Sequence, residues 1–180
     1  MKNIIHNHSL RIINFFKTMP ILTAIAVTLG IMSPLLGGYI LTFDMPWGPH
    51  LNVPNRDENA WFLFTTINLL SSVVPGWIIQ SFVLALITSM SFIGAYLVAR
   101  DLSGVQNTTA IYGGALLYVF NPFFYTRLIS GQWLVLLGYA LLPWAIRSIW
   151  LFLQNPNLKN SIYVALWASA IGMTSIHTVV

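Results

Sequence analysis

The sequence predicts an all-α fold: a polytopic transmembrane helical bundle of about five spans, with its N-terminus in the cytoplasm. Three observations lead there. Of 180 residues, 57% are hydrophobic and only 7% are charged, where a soluble domain carries roughly a quarter. Mean hydropathy is +0.75, and the apolar residues come in unbroken runs, unlike the alternating strands of a membrane barrel. The basic residues are also unevenly placed. With the N-terminus inside, Lys2, Arg11, Lys17, Arg100, Arg147 and Lys159 fall in the cytoplasm, and Arg56 and Arg127 fall outside. That is the asymmetry of the positive-inside rule. The net charge of +4 therefore reports orientation, since the basic residues form no stripe or basic helix for nucleic acid. The chain has no cysteine, which excludes disulfides, thiol nucleophiles and cysteine metal sites. The expected setting is a multi-pass protein of the cell membrane, with lipid as its main partner.

Residues 1–19 read as a cytoplasmic leader. Ile4, Ile5, Arg11, Phe15 and Phe16 can form a short helix on the membrane surface. Residues 20–180 form the transmembrane domain. A span needs roughly 20 apolar residues, and the first candidate runs from Pro20 to Phe43, too long for a cleaved signal peptide. The others run from Trp77 to Ala99, Thr109 to Thr126, Gln132 to Trp150 and Ser161 to Val180. Short polar turns join the second to the third and the fourth to the fifth. A tight outer turn around Arg127 to Gly131 joins the third to the fourth. The first outer loop, residues 44–76, is the long one, and long loops in compact domains tend to be functional.

That loop divides in two. Asp44 to Pro54 contains Pro46, Gly48, Pro49 and Pro54, so it is irregular. Asn55 then stands where a helix cap belongs, with Glu58 in the capping-box position. From Trp61 to Val74, the residues Phe62, Leu63, Ile67, Leu69, Leu70, Val73 and Val74 share one helical face. Thr65, Asn68, Ser71 and Ser72 lie opposite, while Trp61 and Phe64 depart from the pattern. The periodicity predicts a helix lying in the outer interface; the alternative is a re-entrant hairpin. At the other end, Met173 to Val180 is apolar without a polar stop. The expectation is an N-terminal fragment of a longer membrane protein.

Ionisable groups in or near a membrane are the first functional candidates. Asp44 ends the first span, where a carboxylate opposes the helix dipole, and it can accept a proton. Asp57 and Glu58 form an alternative acidic site beside Arg56, although acids in a first helical turn also serve as caps. His50 can meet a phosphate when protonated, share a divalent metal with Asp44, or hydrogen-bond its own loop. These groups do not define a metal site, so no metal or other cofactor is expected. Asn121-Pro122-Phe123-Phe124-Tyr125-Thr126-Arg127, followed by Gly131-Gln132-Trp133, is the most distinctive stretch. Pro122 should kink or unwind the outer part of the third span. Arg127 then emerges between Tyr125 and Trp133, either as a bidentate phosphate clamp or as an interfacial anchor with an aromatic belt. Phosphate loops, Gly-x-Ser-x-Gly elbows and His-Glu-x-x-His motifs are absent.

This layout resembles the N-terminal part of GT-C-class polytopic glycosyltransferases, which use polyprenyl-phosphate-linked sugars. The first span running into Asp44, the long outer loop with its interfacial helix, and residues 121–133 carry the likeness. With Leu137-Gly138-Tyr139-Ala140-Leu141-Leu142-Pro143-Trp144, these residues also look like related uncharacterised prokaryotic membrane proteins. The resemblance implies transfer of a sugar to an acceptor at the outer face. It implies that Asp44 is the catalytic base, with Asp57 and Glu58 as the alternative acidic pair. Arg127 or Arg56 would meet the phosphate, beside His50, Gln132 and Trp133 as further substrate contacts. The class has more helices than this chain contains, so a fragment lacking them is expected to be inactive. Two other readings stand beside it: a transporter or flippase component for lipid-linked or small polar substrates, and a non-enzymatic membrane assembly subunit.

Overall fold

The computed structural model describes residues 19–31, 61–104 and 108–174. Among the described residues there are helices and no strands. They are α1 (Met19–Ile31), α2 (Trp61–Ser71), α3 (Gly76–Ser103), α4 (Thr108–Val119), α5 (Pro122–Ser130), α6 (Trp133–Gln154) and α7 (Leu158–Thr174). Two segments, Gly76–Leu102 and Trp133–Gln154, are long and apolar enough to cross a membrane. Only 39% and 33% of their most apolar windows are buried within the protein, whereas the core helix of a soluble protein would be mostly covered. Phe82, Leu117, Leu153 and Leu166 are among the large apolar side chains left exposed. Such a surface suits lipid contact better than water.

Helices α3 and α6 form the centre, with α4 packed on α3 and α7 on α6. Leu84, Ile87 and Phe92 of α3 and Leu136 and Ala140 of α6 are essentially inaccessible. Close approach of α3 and α6 depends on Gly94. A Cβ there would lie 2.7 Å from Trp144 Nε1, and that indole nitrogen donates to the Met90 carbonyl oxygen at 3.1 Å. Small residues let apolar helices approach in this way where lipid supplies no hydrophobic driving force. On α1, Pro20, Ala24 and Thr28 are buried at a spacing of four, which lays one stripe of the helix against the bundle. Thr28 and Ser89 hydroxyls are hydrogen-bonded at 2.9 Å across α1 and α3.

Two expectations change in detail. Helix α2 is apolar on both sides. Ile67 is buried, with Leu63, Phe64 and Val74 against the core, while Phe62, Leu69, Leu70 and Val73 of the expected stripe are exposed. Phe64, an outlier in the sequence pattern, meets Trp133 edge-on at 5.5 Å. The polar face is muted because Thr65 and Thr66 donate back to the carbonyls of Trp61 and Phe62. The second change concerns the expected third span, which is interrupted at Phe120–Asn121. The 12 residues of α4 rise about 18 Å, short of the roughly 30 Å hydrocarbon core.

Candidate functional site

The interruption has a local cause and a distant repair. Pro122 has no N–H, so the Tyr118 carbonyl four residues earlier loses its helical partner. Asn121 caps α5, its Oδ1 accepting from the Phe124 N–H at 2.9 Å. Its Nδ2 donates to the freed Tyr118 carbonyl at 2.6 Å and to the Tyr139 hydroxyl at 2.9 Å. The Tyr139 hydroxyl in turn donates to the Tyr118 carbonyl at 2.9 Å.

The reverse bond repairs the partner helix. Pro143 lies inside α6 and orphans the carbonyl four residues before it, which belongs to Tyr139. The Tyr118 hydroxyl donates to that carbonyl at 2.8 Å. The two rings stack 4.3 Å apart and 9° from parallel, worth about 0.5–1.5 kcal/mol beyond their burial. Tyr139 and Pro143 thus do more than kink and pack α6. The missed signal is a tyrosine four residues before a proline, present twice: Tyr118 with Pro122, and Tyr139 with Pro143.

Helix α5 carries the remaining features of the site. Gly131 ends it at φ 78°, the left-handed conformation for which glycine is suited. Its N–H and that of Gln132 close on the carbonyls of Leu128 and Arg127. This reversal brings Gln132 beside Arg127, whose Nη1 donates to Gln132 Oε1. The guanidinium lies 5.3 Å from the Phe123 ring centroid, within cation–π range. Its Nε is buried without a hydrogen-bond partner, and among the described residues no carboxylate pairs with it. Trp133 does not flank Arg127 at the surface. It is 3% exposed and packs into the core, whereas Tyr125 is 64% exposed.

On an adjacent side of α5 lies an apolar groove of about 660 Å³, walled by Ile31, Val119, Phe120, Phe124 and Leu128, with Asn121 among its few polar groups. Arg127 does not line it. The short helix thus holds side by side an apolar groove and a cation with no carboxylate partner among the described residues. Of the sequence-predicted site residues, Arg127 and Gln132 are brought together and Trp133 is packed behind them. Asp44, His50, Arg56, Asp57 and Glu58 lie outside the described residues. Among the described residues no group of histidine and acidic side chains gathers as a metal site.

No family model, curated protein or solved structure matches the chain.

Proposed function

We propose that this protein acts as a multi-pass membrane glycosyltransferase, moving a sugar from a polyprenyl-phosphate-linked donor to an acceptor at the outer face. The observation that carries the reading is on α5, where an apolar groove adjoins an arginine without a carboxylate partner among the described residues. That pairing suits an amphiphile with a long apolar tail and a phosphate head. Groove walls would hold isoprenoid units while the Arg127 guanidinium, steadied by Gln132, meets the phosphate. The resemblance to GT-C enzymes supplies the sugar and the role of Asp44, which would take the acceptor proton as the anomeric carbon is attacked. Asp57 and Glu58 are the alternative for that role.

One observation favours a second reading. The break between α4 and α5 is the kind of discontinuity found around transporter substrate sites, so a flippase for the same lipid-linked substrates is the runner-up. The full-length protein, reconstituted with polyprenyl-phosphate sugars, separates the two. Sugar transfer that is lost in Asp44→Asn and kept in Asp57→Asn is the expected result. Absence of transfer by wild type across donors, with substrate moving between leaflets, replaces the enzyme reading with the flippase.

A further inference from the structure

A second site lies at the far end of α6. Asp101, the sole acid among the described residues, receives Arg147 Nε on Oδ2 at 2.7 Å and Arg100 on Oδ1 at 2.8 Å. One carboxylate shared by two guanidiniums leaves this end of the bundle positive. Beside it a cavity of about 420 Å³ opens between α6 and α7, with Arg147 on one wall and Lys159 and Tyr163 on the other. Arg147 reaches Asp101 through Nε, and its Nη groups make no hydrogen bond among the described residues. Lys159 is exposed and belongs to neither ion pair.

The cavity is held open by structure that does not need a ligand. Asn157 caps α7, accepting from the Asn160 N–H at 2.9 Å. Asn160 Nδ2 ties the turn back to the carbonyls of Leu151 and Asn155. Trp144 and Trp167 stack at 5.5 Å to form an apolar wall. The positive end of the α7 dipole lies at Lys159 and adds charge of the same sign. From this mouth the exposed side chains of Ile162 and Leu166 continue along α7.

We infer that this cavity binds the phosphate of an anionic phospholipid, with Arg147 and Lys159 on the headgroup and an acyl chain along α7. The chemistry required is a phosphate anion. The apolar track leading away from it assigns the source to lipid rather than to a soluble phosphate. Basic pockets between membrane helices recognise headgroups on these terms. The site is separate from the activity proposed above and does not depend on it.

The test is equilibrium binding of phosphatidylglycerol with a fluorescent acyl chain to the full chain in detergent micelles. An Arg127→Gln background removes the cation of α5 at the other end. Saturable binding that weakens about fivefold in Lys159→Gln and returns in Lys159→Arg supports the site. Lys159 is exposed, so this variant should fold even if Arg147→Gln, which breaks the Asp101 pair, does not. Unchanged binding in Lys159→Gln, or equal competition by phosphatidylcholine, overturns the proposal. Competition by inorganic phosphate at the same concentration as the lipid overturns the assignment to lipid.

Discussion

The two ends of α6 treat an arginine in opposite ways. Arg147 shares a carboxylate with Arg100, which ties α6 to the end of α3 across 46 residues of sequence. Arg127, on α5 before the start of α6, meets a neutral amide and a phenyl ring and no carboxylate among the described residues. A charge whose partner is inside the protein holds helices together. One left without a carboxylate contributes little to the fold and remains available to an outside anion. The contrast separates a cation tied into the packing of two helices from one that sits on a single short helix and its turn.

The sharpest way to break the contrast is to remove the shared acid. Asp101→Ala leaves two guanidiniums crowded without an anion, and hydrogen bonds to charged groups contribute about 1.5–3 kcal/mol. Unfolding in detergent should show a loss of about 2 kcal/mol, seen as an earlier midpoint in chemical denaturation. A smaller effect, about 1 kcal/mol, is expected for Tyr118→Phe, which orphans the Tyr139 carbonyl. A double-mutant cycle with Tyr139→Phe should be non-additive, because both substitutions dismantle one network. The smallest stability effect belongs to Arg127→Gln, within about 0.5 kcal/mol. Its affinity for a polyprenyl-phosphate lipid should nevertheless fall about tenfold, the scale of losing one charge-assisted hydrogen bond. A large loss of stability in Arg127→Gln would erase the distinction between the two arginines.

Hydropathy made α3 and α6 legible, because their apolar runs are long and uninterrupted, and the proline rule made the break before α5 legible. The positive-inside pattern put Arg100, Asp101, Arg147 and Lys159 on one side. The structure gathers the same residues at one end of the bundle, although no local pattern could pair Arg147 with Asp101. Trp133 was misread for a physical reason. An aromatic next to an arginine at a helix end fits an interfacial belt, and the contact with Phe64 of α2 is a long-range one that no local pattern signals. The stripe read on α2 is divided between the core and the exposed surface. In a helix with apolar residues on both sides, periodicity cannot say which side meets protein and which meets lipid.

The reciprocal tyrosines have a consequence for how the protein is made. Each proline leaves a carbonyl bare in its own helix, and the hydroxyl that covers it belongs to the other helix. Asn121 also covers the Tyr118 carbonyl from within its own segment, whereas the Tyr139 carbonyl has the Tyr118 hydroxyl. In lipid a bare carbonyl costs several kcal/mol, so on the multi-pass reading proposed above α6 is poorly suited to the bilayer unless the residues from 108 to 130 lie beside it. They should leave the translocon as a pair. Separating them with a long soluble insert near residue 131 would expose a dependence that the finished bundle conceals.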